Sequence, residues 1–296
     1  MRTPDFLVVG AARAGTTTLH SYLRQHPGIF LPDVKEPCFF VFEGDDIKYV
    51  KGKFAFAVKD LASYENLFRK AGADQKTGEM STPYLYLHDK TIATVKKYFS
   101  SYSNIRIVIM LRNPVDRAYS QYCWRVRDGR EQLDFEKAIE AEQERIKANY
   151  SFDYFYLDRG FYFKQVKAYM DNFRHVHIIL FEDFEKEPQR VLRDLCHFLG
   201  VDEEFEFKRL APQNESGLPR WKSLGKAATS ESKLKYKLWY AIPDPLRKKI
   251  RNVFTDLNTK GKVSMNPIIR KKLTEVYRED ILALQKLIGR DLSGWL

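Results

Sequence analysis

Residues 6–27, FLVVGAARAGTTTLHSYLRQHP, decide the fold of this chain. FLVVG is a short apolar run of the kind that forms a buried strand. Leu19, Tyr22 and Leu23 then recur on one face of a helix that ends near Pro27. The stretch therefore predicts a strand, a loop and a helix, which together form the first unit of an α/β sheet.

The loop inside this stretch is close to a Walker phosphate-binding loop without being one. Gly10 and Gly15 keep the Walker spacing, but Thr16 and Thr17 stand where that motif has lysine and then serine or threonine. Backbone N–H groups at a helix N-terminus and two hydroxyls can still hold an anion, and Arg13 adds a positive charge. Taken alone, the loop fits an ordinary glycine-containing turn equally well, so the rest of the sequence has to decide.

The alternation of strand and helix continues along the chain. IRIVIML at 105–111 has the pattern of a buried strand, and Asn113 and Pro114 then begin a helix. VHIILFEDF at 176–184 is a third strand, followed by a helix at 187–200. These units predict an α/β fold with a central parallel sheet flanked by helices in three layers. Further helices are expected at 61–70, 91–98, 135–147, 161–173 and 268–288.

Composition favours one enzyme-sized domain with an anionic ligand. The 296 residues are 44% hydrophobic, and 50 lysines and arginines against 39 acidic residues give a net charge of +11. We expect a single domain over 1–296 with a helical, basic insert at about 215–262. No apolar run reaches the length of a membrane span, and the three cysteines lack metal-site or disulfide spacing. A cytoplasmic protein with no metal is therefore expected, and no nucleic-acid-binding motif accompanies the charge.

A second anion contact is predicted where the strand at 105–111 ends. Arg112 follows that strand, and a guanidinium there is costly unless it is paired or exposed in a cleft. Ser120 lies about two turns into the next helix, so the two side chains could clamp a second phosphate some distance from the first. The alternative is that Arg112 pairs with Asp116 or Glu182.

Six stretches of the chain form a specific combination. They are, in order, GAARAGTT, KEPCFF, GEMSTPYLYL, IVIMLRNPVDRAYSQY, LFEDFEKEP and YREDILALQKLIGRDLSGW. This combination resembles the sulfotransferases that use 3′-phosphoadenosine-5′-phosphosulfate (PAPS), particularly the carbohydrate and heparan-type branch and its bacterial relatives. The resemblance implies a P-loop-like fold. It also implies transfer of a sulfuryl group from PAPS to an acceptor hydroxyl, with adenosine 3′,5′-bisphosphate (PAP) as product.

The resemblance also implies roles for single residues. Arg112 and Ser120 match the positions that hold the 3′-phosphate, and Glu36 matches the acidic residue proposed as the catalytic base. Arg13 is expected to stabilise charge on the leaving phosphate by electrostatics, because an arginine is a poor proton donor. The residues that match the 5′-phosphosulfate loop are Gly10, Ala11, Ala12, Arg13, Ala14, Gly15, Thr16 and Thr17.

Two further cations are expected near the ligands. Met80 stands where the family has a lysine, which leaves Lys35 as the candidate for a second cation at the substrate. A segment similar to SGLPR lies near the nucleotide in bacterial relatives, which adds Arg220 as a candidate contact of the 3′-phosphate.

The acceptor is expected to be a hydroxyl of a carbohydrate, glycolipid or other glycoconjugate. Tyr84, Tyr86 and Arg159 are the candidates to contact it, with core packing as the alternative for the two tyrosines. The basic and aromatic segment 233–254 is expected to pack on the core rather than on a membrane, because Pro243 and Pro245 interrupt it. Two other function classes stay open: a P-loop kinase or other ATP-dependent transferase, and a non-catalytic protein that binds an anionic ligand or a membrane.

Overall fold

A parallel sheet forms the centre of the molecule. The structure, a computed structural model, describes residues 4–45, 48–52, 54, 56–210 and 265–296. In these ranges the strands are β1 Phe6–Gly10, β2 Ile29–Phe30, β3 Lys76–Met80, β4 Arg106–Leu111 and β5 Val176–Leu180. They are all parallel and lie in the order β2-β3-β1-β4-β5. The chain therefore changes sides of β1 between β3 and β4, and such a switch point leaves a crevice at the carboxyl ends of the strands.

Helices connect these strands, as the sequence predicts. In the same ranges they are α1 Thr16–Leu23, α2 Phe39–Phe42, α3 Leu61–Asn66, α4 Pro83–Tyr86, α5 His88–Tyr98, α6 Pro114–Arg127, α7 Phe135–Glu140, α8 Glu142–Lys147, α9 Tyr162–Asn172, α10 Phe181–Lys186, α11 Pro188–Leu199 and α12 Pro267–Ile288. The predicted α/β class with a central parallel sheet is confirmed.

The two central apolar strands were correctly predicted because both of their faces are covered. Every residue of β1 is buried, and so are all residues of β4 after Arg106. Parallel strands that are covered on both faces show this continuous apolar pattern. The third predicted strand is shorter than expected: β5 ends at Leu180, and FEDF at 181–184 begins α10 instead.

Strand β3, which pairs with β1, was missed because its sequence, KTGEM, is polar. Gly78 packs so closely under the Phe6 ring that a Cβ there would lie 2.2 Å from Phe6 Cζ. Thr77 is buried, and its hydroxyl donates to the Asp5 carboxylate at 3.0 Å. Glu79 is also buried, with 1% of its surface exposed. Specific polar contacts therefore replace apolar packing in this strand.

The predicted helices are confirmed with shifted ends. The segment 135–147 is two helices, α7 and α8, that meet at Ala141. Helix α12 packs on α9, where the Asp280 carboxylate accepts hydrogen bonds from the N–H groups of Tyr162 and Phe163 at 2.7 and 3.2 Å. The expected insert at about 215–262, with the segment 233–254, lies outside the described residues.

Candidate active site

The loop between β1 and α1 stands at the carboxyl end of the central strand. Its backbone is tied to β4, because the Ala11 N–H donates to the Met110 carbonyl at 2.6 Å. Gly15 has a φ of +92°, and a Cβ there would lie 2.9 Å from the Phe181 ring. Arg13 also has a left-handed backbone, with a φ of +69°. The turn therefore requires glycine at position 15 and presents residue 13 in a fixed orientation.

The first turn of α1 offers donors to an anion. Its N-cap is Gly15, which makes no side-chain cap, so the N–H groups of Thr16 and Thr17 have no partner inside the helix. Lys35 comes close to this turn, since its Nζ donates to Thr17 Oγ1 at 2.6 Å. Burial lowers the pKa of Lys35, while the Glu36 carboxylate opposes that shift. The predicted cation at position 35 therefore lies beside the loop.

Arg13 points from the loop towards α6. Its Nε donates to Ser120 Oγ at 3.1 Å, and its guanidinium lies 5.8 Å from the ring centroid of Trp124. Burial, followed by repulsion from Arg127 and Arg112, lowers the pKa of Arg13 to about 10. The side chain therefore remains a cation at neutral pH, surrounded by other cations that an anionic ligand would neutralise.

Arg112 joins the same cluster rather than pairing with a carboxylate. Its Nη1 donates to the carbonyl of Arg13 at 3.2 Å, and its guanidinium lies 4.6 Å from the Phe181 ring centroid. The carboxylates that were its alternative partners are engaged elsewhere: Asp116 pairs with Arg270, and Glu182 accepts the N–H of Asn113 at 3.0 Å. Among the described residues, no carboxylate lies within ion-pair distance of Arg112.

The structure therefore brings the two predicted anion contacts together at residue 13. Ser120 is 3% exposed and bonds to the side chain of Arg13, while Arg112 bonds to its carbonyl. The sequence had suggested two phosphate contacts some distance apart. In the structure Arg13 connects the two: its backbone belongs to the 10–17 loop, and its side chain reaches Ser120 in the middle of α6.

Glu36 follows Lys35, the residue that bonds to the loop at Thr17. The Thr82 hydroxyl, just beyond β3, is 3.3 Å from each oxygen of its carboxylate. Burial raises the pKa of Glu36, and the charge of Lys35 counteracts that shift. A half-buried carboxylate with a raised pKa, held by one hydroxyl and beside a cation, has the properties of a general base.

A small cavity beside Ala11 and Ala12 contains two buried arginines. It is lined by Tyr86, Arg117 and Arg159, and the two arginines are 1% and 4% exposed. Burial, followed by repulsion from Arg117, lowers the pKa of Arg159 to about 10. Among the described carboxylates, Arg159 has an ion pair with Asp153, at the long distance of 3.7 Å. Arg159 is therefore buried beside Ala11 and Ala12 of the loop.

Tyr84 is a correction to the sequence interpretation. Its side chain is fully buried, and its hydroxyl accepts a hydrogen bond from the N–H of Phe40 at 3.3 Å. Because Tyr84 has no exposed surface that an acceptor could contact, it is a core residue, which was the alternative interpretation. The nearby Tyr86 lines the cavity instead, and its hydroxyl donates to Asp158.

Some site residues were not predicted, and one prediction cannot be placed. Thr82 lies within the quoted stretch GEMSTPYLYL, but its contact with Glu36 depends on a pairing of chain segments that spacing does not reveal. Arg117 lies one helical turn before Ser120, and its place in the helix pattern does not indicate that it is buried. Arg220 lies outside the described residues.

Two searches of the described part of the chain gave negative results. Nowhere in it do three His, Cys, Asp or Glu side chains come together in a group that could hold a metal ion. None of the helices in the same part is both long and apolar enough to cross a membrane.

A family model described as "Sulfotransferase family" matches residues 4–206. Among curated proteins, the membrane-associated sulfotransferase kil1 of Dictyostelium discoideum is 30% identical over 119 residues, which are 40% of this chain and 22% of that protein. Human carbohydrate sulfotransferase 15 is 24% identical in an alignment of 171 residues that covers 47% of this chain and 30% of that protein. The chain thus spans less than a third of the length of either curated relative.

Solved structures match over much more of their length. A sulfotransferase from Alicyclobacillus acidocaldarius is 32% identical, with a TM-score of 0.75 over 100% of this chain and 99% of that one. Mouse sulfotransferase SULT7A1 complexed with PAP is 19% identical, with a TM-score of 0.51 over 95% of this chain and 84% of that one. The second likeness concerns the fold alone, and together they confirm the P-loop-like α/β architecture with its central parallel sheet.

Proposed function

This chain belongs to the sulfotransferase family, and from that premise we propose that it transfers a sulfuryl group from PAPS to a hydroxyl of a carbohydrate or glycoconjugate. The observation that carries the proposal is the cationic cluster around residue 13, which joins the 10–17 loop to Arg112 and Ser120. The family match favours this reaction over the ATP-dependent alternative.

The donor fits this cluster in two parts. The N–H groups of residues 10–17 and the hydroxyls of Thr16 and Thr17 surround the 5′-phosphosulfate, while Arg112 and Ser120 hold the 3′-phosphate. Support for a nucleotide of this kind comes from the mouse relative, which was crystallised with PAP. PAPS also suits a loop without a Walker lysine, because a sulfuryl group in transfer carries less negative charge than a γ-phosphoryl group.

In the reaction, the acceptor oxygen forms a bond to sulfur as the bond from sulfur to the 5′-phosphate oxygen breaks. The hydroxyl proton goes to the Glu36 carboxylate, and the electron pair of the broken bond stays with the leaving PAP. Arg13 then stabilises the charge that develops on the leaving oxygens. Lys35, which bonds to Thr17, adds a second positive charge at the same end of the loop.

We place the acceptor hydroxyl at the small cavity beside Ala11, Ala12 and Thr82, which has room for about one hydroxyl-sized group rather than for a sugar ring. Arg159 and Arg117 line this cavity and can donate hydrogen bonds to that group. Carbohydrate as the acceptor class is supported by the similarity to human carbohydrate sulfotransferase 15. Thr82 lines the cavity and also donates to Glu36, which supports the proposal that a hydroxyl bound there gives its proton to Glu36.

Two measurements test the proposal. PAP and ATP are each titrated by calorimetry once with EDTA and once with magnesium, and binding of PAP without a metal ion is expected. Labelled sulfate transfer from PAPS to a panel of oligosaccharides and glycolipids follows, with mass spectrometry of the product. Magnesium-dependent binding of ATP with no binding of PAP would contradict the proposal, and a labelled product that is not a glycan would contradict the acceptor class.

A further inference from the structure

A carboxyl group is buried behind the candidate base. Glu79 lies in β3 at the register of Leu7, and only 1% of it is exposed. Burial raises the pKa of Glu79 to about 8, against hydrogen bonds from Tyr84 and Ser81 that lower it. A buried carboxyl is costly and is retained only where its contacts matter. The sulfuryl transfer described above does not use this group.

The segment that carries Glu36 has an unusual backbone. Glu36 has a φ of +58° and Cys38 a φ of +54°, both in the left-handed region, although neither residue is glycine. Residues other than glycine, asparagine and aspartate seldom take this conformation, and it persists where surrounding contacts impose it. The contacts around this bend therefore decide where the Glu36 carboxylate points.

Those contacts lead back to Glu79. The N–H of Cys38 donates to Ser81 Oγ at 3.0 Å, and the Ser81 hydroxyl donates to Glu79 Oε2 at 3.1 Å. A serine hydroxyl has a single hydrogen, so donating it to Glu79 turns the oxygen lone pairs towards the Cys38 N–H. Next in the chain, Thr82 donates to the Glu36 carboxylate itself. The end of β3 thus holds both the backbone and the side chain of the base segment.

We propose that Glu79 is a positioning residue for the catalytic base. Through Ser81 it fixes the backbone at Cys38, and that fixed bend keeps the Glu36 carboxylate against Thr82 and facing the sulfuryl donor. This inference rests on the proposed role of Glu36 as the base.

The test compares three single variants with a control on the same strand. Ser81→Ala removes the linking hydroxyl, Glu79→Leu removes the acceptor, and Glu79→Gln keeps an acceptor oxygen. We expect the first two to lower kcat at least tenfold with PAP affinity within twofold of wild type, and Glu79→Gln to keep most of the kcat. Thr77→Val breaks a buried hydrogen bond at the other end of β3, and it should lower Tm while leaving kcat within twofold.

A double-mutant cycle separates positioning from general stability. In a Glu36→Gln background the base is absent, so Ser81→Ala or Glu79→Leu should change the remaining rate less than twofold. An equal loss in both backgrounds, or an equal loss of kcat in Thr77→Val, would overturn the positioning role. Near-wild-type turnover of Glu36→Gln alone would instead remove the base from the proposed function. The two failures are therefore distinguishable.

Discussion

Replacement of Arg112 by alanine is the sharpest test of how the nucleotide is held. The side chain is half-buried, has no carboxylate partner among the described residues, and uses Nη1 to bond the carbonyl of Arg13. Its remaining N–H donors are available to a ligand. If they hold the 3′-phosphate, Arg112→Ala should weaken the binding of PAP much more than that of 5′-AMP, which lacks this phosphate.

The structure separates two contributions to this loss. The hydrogen bond to the Arg13 carbonyl positions the loop for both ligands. A hydrogen bond to a neutral acceptor of this kind contributes about 0.5–1.5 kcal/mol. Hydrogen bonds to the charged 3′-phosphate are worth about 1.5–3 kcal/mol and concern PAP alone. Since 1.4 kcal/mol is a factor of about ten, the variant should lose roughly 10-fold to 150-fold more affinity for PAP than for 5′-AMP.

Isothermal titration of both nucleotides into wild type and variant measures the difference. Arg174→Ala, which removes an exposed arginine from the loop before β5, is the control and should change neither affinity by more than twofold. Equal losses for PAP and 5′-AMP in Arg112→Ala would show that Arg112 only supports the loop. The 3′-phosphate would then have to be bound elsewhere.

Four further predictions concern chemistry, pH and packing. Glu36→Gln should lower turnover by roughly 10²–10⁴-fold while PAP still binds. In wild type, activity should rise with pH as Glu36 loses its proton, and this rise should be absent from the variant's pH–rate profile. Burial raises the pKa of Glu79 to about 8, so the folded state holds this proton more tightly than the unfolded chain does. Tm should therefore fall as pH rises from about 4.5 to 8, and Glu79→Gln should make this fall smaller. Gly15→Ala should abolish detectable PAP binding, because its methyl group would lie 2.9 Å from the Phe181 ring at a positive φ; unchanged affinity would refute the close packing of the loop. Tyr84→Phe should lower Tm and leave the acceptor KM unchanged, whereas a raised KM with normal Tm would return this residue to the acceptor site.

Local patterns were sufficient to predict three of the five strands in the described part of the chain and the turn between β1 and α1. The runs that became β1 and β4 are apolar because both faces are buried, and Gly15 lies where the backbone has to turn. Motif order then located Arg13, Arg112 and Ser120 on neighbouring elements. The contacts among these residues, such as the hydrogen bond from Arg13 to Ser120, depend on the directions of the side chains, which motif order does not predict.

The failures have a common physical cause. Strand β3 and Arg117 contribute polar groups inside the protein, and their burial depends on partners far away in the sequence. Thr77 needs Asp5 and Glu79 needs Ser81, while Arg117 needs Gln121 and the Tyr156 carbonyl. A sequence pattern scores such residues as exposed, because hydropathy describes each side chain without its partner.

The polar strand β3 also affects how variation in this protein should be judged. In most enzymes a designer would leave apolar core positions alone and treat a segment such as KTGEM as free for diversification. In this protein the polar strand β3 should be left unchanged as well, because Gly78 has no room for a single methyl group beneath Phe6. Libraries built on this scaffold should therefore hold β3 fixed and place their diversity elsewhere.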